Sequence, residues 1–232
     1  MSSGQWIGLS VHYPLSTRMN VSRVITTLSI RYPQKGDMDL GNAKDTLIGI
    51  LLTARTQDAQ VLKILPAFIK RYPTFDSIAK SSPKEIETYL STIGLYRSKA
   101  KAIHGLAKII LKDYDGKVPG TMEDLRRLPG VGRKTANCVL NYVFGEDTIC
   151  VDTHVFRISH RLGWTNGKTP EAVERDLQKL VAKRQWSSIN RAFVRFGREI
   201  CKPGKPMCDI CPVRKDCAYG RSSGKSKVGS RR

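Results

Sequence analysis

The sequence lacks any apolar run long enough to cross a bilayer, so no membrane span is expected. The apolar residues near its beginning, between Trp6 and Leu15, are interrupted by glycine, serine, histidine and proline, which argues against a secretory signal peptide. Residues 1–36 also lack acidic residues and contain several serines and arginines, a composition that weakly resembles an organellar transit peptide. An intracellular location is therefore expected, in the cytoplasm and nucleoid or, in a eukaryote, in the nucleus or an organelle.

Alternation of apolar and polar residues, the pattern of half-buried strands, is also missing. Apolar residues instead recur at helical spacing between capping residues. Ser82 followed by Pro83 and Glu85 is a typical start of a helix. Ser98 is expected to cap another helix, which follows the Ile93-Gly94-Leu95-Tyr96 turn. The sequence thus predicts an all-α fold.

Acidic residues are scarce relative to basic ones. The 232 residues contain 40 Lys and Arg but only 20 Asp and Glu, so the formal net charge is +20. So large an imbalance indicates a polyanionic partner, and nucleic acid is the expected one. The segment after Tyr219, residues 220–232, is basic and of low complexity, and it is predicted to be a disordered tail that adds affinity for phosphate.

Cysteines are few but clustered. In a reducing compartment, six cysteines indicate metal binding rather than disulfides. Four of them have the spacing C-x6-C-x2-C-x5-C and are candidate ligands: Cys201, Cys208, Cys211 and Cys217. A four-thiolate zinc site usually has two CxxC pairs, and only one is present, so a [4Fe-4S] cluster is favoured over zinc. Cys138 and Cys150, in apolar settings, are interpreted as small buried residues.

A glycine hairpin between two helical runs is the most informative stretch. The sequence Pro129-Gly130-Val131-Gly132 separates the run Met122 to Leu128 from the run Arg133 to Phe144. Gly130 and Gly132 can adopt positive φ at little cost, and without side chains they let a phosphate approach the backbone N–H groups. Those groups lie at the start of the second helix, where the helix dipole also favours an anion. Helix, hairpin and helix together predict a module that binds the nucleic-acid backbone.

Two residues of this stretch suggest chemistry. Lys134 lies in the first turn of the second helix, where a cation is disfavoured, so it is either a phosphate contact or an amine held uncharged as a nucleophile. Asp152 lies eighteen positions later, at the start of the next helical run. It is either an N-cap or a carboxylate that activates the amine and stabilises positive charge on a deoxyribose. From the residues alone, both pairs of interpretations stay open.

The motifs LPGVGRKTANCVL and VDTHVFRISHRLG, with the four-cysteine spacing, resemble the helix-hairpin-helix DNA glycosylases, and specifically endonuclease III. The resemblance extends from Leu47 through Cys217. It implies that Lys134 is the nucleophile, that Asp152 is the activating carboxylate and that the four clustered cysteines hold a [4Fe-4S] cluster. It also implies a two-lobed monomer, with a six-helix barrel over residues 36–146 and a cluster domain formed by 1–35 and 147–219.

The resemblance also suggests how the chain touches DNA. Gly130, Val131, Gly132 and Arg133 would bind the backbone, and Lys202 and Lys205 would form a phosphate-binding surface on the cysteine loop. Leu95, in the family's IGLY turn, would fill the gap left by an extruded nucleotide.

The chain departs from the family pattern at Arg55, which occupies the position of a glutamine in the polar loop after the second helix. Arg55 donates hydrogen bonds but accepts none, so we expect it to fill the gap and prefer an acceptor-rich opposite base such as guanine. Asp58, at the end of the same loop, is interpreted as a helix cap.

The expected function is excision of damaged pyrimidines from duplex DNA, with nicking at the resulting abasic site. Within enzymes, a uracil or thymine glycosylase acting opposite guanine is the first alternative, because of Arg55. An adenine glycosylase is less expected, because Lys134 is present and no domain follows the cysteine loop. From another class, the alternative is a helix-hairpin-helix DNA-binding protein without catalysis.

Overall fold

A computed structural model describes residues 15–32 and 36–222. All regular structure in these two ranges is helical, and neither contains a strand, so the predicted all-α fold is confirmed. No helix in the described ranges is long and apolar enough to cross a membrane. Residues 1–14, which include most of the segment compared with a transit peptide, and residues 223–232, most of the predicted basic tail, lie outside the description.

Twelve α-helices are described, and their bounds are α1 Leu15–Arg31, α2 Ala43–Leu52, α3 Asp58–Arg71, α4 Phe75–Lys80, α5 Pro83–Leu90, α6 Tyr96–Asp113, α7 Met122–Arg127, α8 Arg133–Phe144, α9 Thr153–Leu162, α10 Pro170–Leu180, α11 Trp186–Glu199 and α12 Ala218–Ser222. Short 3₁₀ turns occur at Lys183–Gln185, Cys208–Ile210 and Arg214–Asp216.

Side-chain caps account for several helix starts. The Ser82 hydroxyl accepts a hydrogen bond from the Glu85 N–H at 3.2 Å, and the Glu85 carboxylate accepts one from the Ser82 N–H at 2.6 Å. This reciprocal pair begins α5, as predicted. The predicted cap at Ser98 is wrong, because α6 already begins at Tyr96, where Leu95 turns the chain with φ of 60°.

Two separate apolar cores form the interior. The first is built from α2 to α8 and centres on α2, whose residues Leu47, Ile48 and Leu52 are fully buried, as the apolar sequence of that helix requires. The second joins α1 to α9, α10 and α11 through residues such as Leu28 and Phe193. Ile149 belongs to the second core and Cys150 to the first, so the chain passes between the cores immediately before Asp152.

Polar side chains connect the two cores. The Arg133 guanidinium, at the start of α8, donates two hydrogen bonds to the Glu174 carboxylate of α10, at 2.8 and 2.9 Å. The Tyr142 hydroxyl of α8 donates to the Asn190 side-chain oxygen of α11 at 2.5 Å. These contacts hold both ends of α8 against the second core, and a cleft lies beside the start of the helix.

Cys138 and Cys150 are both buried, as predicted, but they form a disulfide with a Cα–Cα distance of 5.5 Å. The expectation that cysteines here serve metal rather than disulfides is therefore wrong for this pair. The physical reason is that the chain leaves α8 and returns alongside it, which brings two positions twelve residues apart to the usual disulfide spacing. The disulfide joins the helix that carries Lys134 to the segment that leads into Asp152.

Candidate active site

The hairpin between α7 and α8 requires glycine at one position. Gly130 has φ of 78°, and a Cβ atom there would lie 2.9 Å from the Ala102 Cβ and 3.2 Å from a Leu51 methyl group. Gly132 instead has φ of −88°, so only Gly130 uses the freedom that glycine has at positive φ. No atom lies within 4 Å of a Cβ built on Gly132, so a ligand can approach the backbone closely there. Val131 is buried in the first core and anchors the hairpin.

The start of α8 presents uncapped donors. Gly132 is the N-cap residue and no side chain caps the helix, so the first-turn N–H groups point out of its end. Arg133, a predicted DNA contact, is occupied by its two hydrogen bonds to Glu174, whose side chain is only 6% exposed. Arg133 therefore orients the helix start, and any phosphate contact that it makes comes from the exposed part of its side chain.

Lys134 and Asp152 line the same cleft. Its inner recess has about 510 Å³ of open space, and its outer groove runs past the loop of residues 53–59 and the start of α9. Both side chains line the recess and the groove, so they lie where the two meet.

Asp152 is indeed an N-cap. Its Oδ1 accepts hydrogen bonds from the His154 and Val155 N–H groups, at 2.9 and 2.8 Å. Within the described chain, no side chain or backbone donor is bonded to Oδ2. One oxygen thus fixes the carboxylate on α9 while the other stays available to the cleft. The two interpretations of Asp152 are compatible.

A row of arginines on α11 was not identified from the sequence. Arg191, Arg195 and Arg198 are spaced i, i+4 and i+7, so they share one face of the helix. Arg195 and Arg198 bind the Asp37 carboxylate at 2.8 and 2.6 Å. Although burial opposes it, these guanidinium groups hold the pKa of Asp37 below its ordinary value. In the sequence, only the helical spacing of these arginines could have indicated the row. That spacing is weak evidence for a site, because arginines on one helix face are more often simply exposed to solvent.

Asp58 does not cap α3, contrary to the prediction. It is the first residue of that helix, and its carboxylate binds Arg198. The N-cap is Gln57, which makes no side-chain cap. Arg198 therefore bridges Asp37 and Asp58, and it joins α11 to the loop that carries Arg55.

Two exposed side chains project from adjacent turns. Arg55 has φ of 53° and Leu95 has φ of 60°, a conformation that costs a non-glycine residue on the order of 1 kcal/mol. Leu95 is 53% exposed, although it is apolar. A Cβ on Gly94 would lie 3.3 Å from the Arg55 carbonyl oxygen, so the two turns touch. The structure thus brings together the two residues predicted to enter the DNA.

A buried lysine joins these turns. Lys99 is 5% exposed, and its Nζ donates to the Thr56 hydroxyl at 2.6 Å. Burial lowers the pKa of Lys99 to about 8 from 10.5. Between these two values the unfolded chain binds more protons than the folded chain, so the free energy of unfolding contributed by Lys99 increases as pH rises.

We therefore expect Lys99→Met to remove a pH-dependent contribution to the free energy of unfolding. In the unsubstituted chain, this contribution increases by at most about 1 kcal/mol per pH unit between about pH 8 and pH 10.5. Urea denaturation across that range measures it, with Lys101→Met, at an exposed neighbouring lysine, as the control. Parallel pH profiles for the two variants would contradict the assignment.

The four clustered cysteines surround one small cavity, whose other walls are formed mainly by apolar side chains such as Ile158 and Phe196. In the described ranges, no three His, Cys, Asp or Glu side chains converge closely enough to hold a single metal ion. Four thiols spread around a cavity suit a larger metal cluster better than one zinc ion.

Hydrogen-bond donors lie close to two of the cysteine sulfurs, and the cysteines around this cavity are partly or fully buried. The Arg161 guanidinium lies 3.2 Å from the Cys201 sulfur, and the Gly220 N–H donates to the Cys217 sulfur at 3.3 Å. Burial raises the pKa of Cys211 to about 11 and also raises that of Cys217, so these side chains become thiolates only where nearby positive charge stabilises them.

Lys202 and Lys205 are both exposed on the loop between the first two cysteines. Arg161 shapes that loop, because its guanidinium donates to the carbonyl oxygens of Lys202 and Pro203 at 2.7 and 2.6 Å. The two lysines are thus carried on an ordered support that faces solvent.

Comparison with known proteins agrees with this geometry. Residues 48–183 match the family described as HhH-GPD superfamily base excision DNA repair protein. Endonuclease III of Thermotoga maritima is 42% identical over 185 residues, covering 80% of this chain and 87% of the relative. Endonuclease III of Escherichia coli is 38% identical over 186 residues, covering 79% and 87%.

Solved structures agree as well. A trapped covalent endonuclease III–DNA intermediate superimposes with a TM-score of 0.84 at 33% identity, covering 89% of this chain and 98% of that one. A thermostable thymine-DNA glycosylase superimposes with a TM-score of 0.78 at 27% identity, covering 89% and 98%. The resemblance inferred from the hairpin and cysteine motifs is confirmed. The chain therefore belongs to the HhH-GPD superfamily of base excision DNA repair proteins and, within it, to the endonuclease III family of DNA glycosylase/AP lyases.

Proposed function

We propose that the chain excises damaged pyrimidines from duplex DNA with Lys134 as the nucleophile and Asp152 as the activating carboxylate. The observation that carries this assignment is that both side chains line one cleft, at the junction of its recess and its groove. A relative of the same fold has been trapped as a covalent endonuclease III–DNA intermediate, which supports amine chemistry in such a cleft.

The reaction follows from these two groups. The target nucleotide leaves the stack, and its base enters the recess. The neutral amine of Lys134 attacks C1′, the bond from C1′ to the base breaks, and the electron pair leaves with the base. The available Oδ2 of Asp152 accepts the amine proton and stabilises positive charge on the sugar. The bond from C1′ to O4′ then breaks, O4′ takes up a proton, and the opened sugar is left with a Schiff base between C1′ and the lysine nitrogen. This Schiff base makes the C2′ hydrogens acidic, so loss of one proton expels the 3′ phosphate and nicks the strand.

Backbone recognition is proposed for the hairpin and for the cysteine loop. The uncapped N–H groups at the start of α8 and the open space beside Gly132 suit one phosphate. Exposed Lys202 and Lys205 suit others. With the net charge of +20, these contacts give salt-dependent affinity for duplex DNA that contains damaged bases or abasic sites.

Leu95 and Arg55 are proposed to occupy the gap left by the extruded nucleotide. They project from two touching turns, so a single approach of the protein inserts both. Leu95 replaces stacking contacts, since it is apolar and exposed. Arg55 faces the estranged base and supplies only donors, which match the O6 and N7 acceptors of guanine.

Arg55→Gln is expected to reduce the preference for guanine as the opposite base. A bidentate arginine–guanine contact is worth about 1–3 kcal/mol, so the ratio of rates opposite guanine and opposite adenine should fall roughly 5- to 150-fold. Single-turnover base release from matched duplexes measures this ratio. Gln57→Ala, at an exposed residue of the same loop, is the control. An unchanged ratio in Arg55→Gln would remove Arg55 from the reading of the opposite base.

The four clustered cysteines are proposed to hold a [4Fe-4S] cluster. Their cavity, its apolar walls and the donors to two of the sulfurs fit such a group. When bound, the cluster supplies fixed positive charge that keeps its thiolate ligands ionised. It would also fix the loop that carries Lys202 and Lys205.

A second candidate function has one specific observation in its favour. This chain has Arg55 where the endonuclease III pattern has glutamine, and it is also similar to a thymine-DNA glycosylase, at 27% identity. A panel of duplexes with oxidised pyrimidines, uracil or thymine opposite guanine, scored separately for base release and for nicking, divides the candidates. Release of oxidised pyrimidines with nicking supports the main proposal. Release of only mismatched thymine or uracil supports the second, and binding without release supports a non-catalytic DNA-binding protein.

The remaining assignments are also proposals. The two apolar cores support a barrel over residues 36–146 and a cluster domain over 1–35 and 147–219. One chain contains both Lys134 and Asp152 in its own cleft, which supports action as a monomer. We propose an intracellular location, since the substrate is chromosomal DNA.

A further inference from the structure

One arginine of the row on α11 lacks an acidic partner. Arg195 and Arg198 bind Asp37, and Arg198 also binds Asp58. Arg191 forms no ion pair in the part of the chain that the structure describes. Its Nη2 makes one long hydrogen bond, 3.5 Å, to the Asn141 carbonyl oxygen, and its buried Nε has no hydrogen-bond partner there.

The neighbouring side chains hold the Arg191 guanidinium in place but leave some of its hydrogen-bond donors without an acceptor among the described residues. Its central carbon lies 5.3 Å from the centre of the Tyr142 ring, a favourable cation–π arrangement. Tyr142 is fixed in turn by its hydrogen bond to Asn190, and burial raises the pKa of Tyr142 above its ordinary value, so the phenol stays neutral. A buried donor without an acceptor destabilises the folded protein, and a ligand that carries an acceptor would remove that cost.

Arg191 lines the same recess as Lys134 and Asp152. If the sugar C1′ lies beside Lys134, its base extends into this recess. The carboxylates of Asp37, Asp58 and Asp152 also line it, but Asp37 is bound by Arg195 and Arg198, and Asp58 by Arg198. Arg191 is therefore the arginine of the row whose donors remain for a base.

The chemistry of base release needs a donor at this place. When the bond from C1′ to N1 breaks, the electron pair goes to the pyrimidine ring and spreads onto O2. A guanidinium already in the recess stabilises that developing negative charge without having to move in from solvent.

We propose that Arg191 donates to the extruded pyrimidine, at O2, and stabilises the departing base. This inference rests on the proposed function, because it assumes that Lys134 attacks C1′ in the same cleft. It assigns to the recess a ligand class, a pyrimidine with a ring carbonyl beside the glycosidic nitrogen. It also separates two tasks: Lys134 acts on the sugar, and Arg191 acts on the base.

Arg191→Met, which keeps most of the side-chain length but removes every donor, tests the proposal. Base release should fall about 100-fold, the usual effect of losing one such donor. Nicking of a preformed abasic site, which contains no base, should change less than about 3-fold. Across a series of 5-substituted 2′-deoxyuridines, the loss should grow as the departing base becomes less acidic. Arg191→Lys should recover part of the release, because it restores a charged donor.

Arg175→Met, at an exposed arginine of α10, is the matched control, and thermal unfolding of each variant reports its folding. An equal loss of release and of abasic-site nicking would assign Arg191 a structural role and overturn the proposal. The proposal would also be overturned if Arg191→Met released the base at an undiminished rate, or if its loss of release did not depend on the acidity of the departing base. Failure of the proposed function can be distinguished from failure of this inference, because the unsubstituted chain would then release no pyrimidine. The inference would be wrong in that case as well.

Discussion

Lys134→Ala is expected to abolish covalent trapping of the protein on damaged DNA by borohydride. Borohydride reduces a Schiff base to a stable amine, so trapping requires an amine bonded to C1′. Lys134 lines both the recess and the groove of the cleft, at the place where an extruded sugar meets the activating carboxylate. Nicking of abasic sites should fall in the same variant by at least about 1000-fold, because elimination passes through the same Schiff base.

The controls for this result come from the same chain. Lys112→Ala removes an equal charge from an exposed position at the end of α6, and it should trap normally. Asp152→Asn should keep binding DNA but release base about 100- to 1000-fold more slowly, because an amide cannot accept the amine proton. Normal trapping by Lys134→Ala would show that another amine is the nucleophile. Loss of DNA binding in that variant would instead make Lys134 a phosphate contact.

Local features of the site could be predicted because their causes are local. The hairpin, the helix N-cap at Asp152 and the capping box at Ser82 each depend on residues within a few positions of one another. The family resemblance rests on motifs of the same kind. Where a local prediction failed, the cause was also local. Leu95 turns the chain with positive φ, so α6 begins earlier than the expected cap at Ser98.

Contacts between distant segments could not be predicted. Nothing in the sequence pairs Arg133 with Glu174, forty-one positions away, or Asp37 with an arginine of α11. These pairs depend on how two cores pack, and packing is set by many contacts at once rather than by a motif. The Cys138–Cys150 disulfide was missed for a different reason, because the interpretation of these cysteines rested on the expected compartment alone. The base-binding role proposed for Arg191 emerges only after its neighbours are found to be paired.

The second large effect is expected at the cysteine loop. Cys211→Ser should remove the cluster, measured as loss of bound iron and of the visible absorption of iron–sulfide centres. The cavity lined by the four cysteines would then lack the group that holds residues 201–217 together. Losing a structural metal site costs about 4 kcal/mol or more, so the melting temperature should fall by roughly 8–16 °C. Affinity for undamaged duplex DNA should fall as well, because Lys202 and Lys205 lose their support.

The matched control is the double variant Cys138→Ser/Cys150→Ser, which removes two cysteines from outside the loop. It should keep its full iron content whatever happens to its stability, because neither sulfur lines the cluster cavity. Iron content therefore separates loss of a ligand from loss of any buried cysteine. One bound zinc ion per chain in place of iron would contradict the assignment, as would full iron in Cys211→Ser. If the loop held its shape and its DNA affinity without metal, the exposed lysines would owe their position to Arg161, which already binds two carbonyl groups beside them.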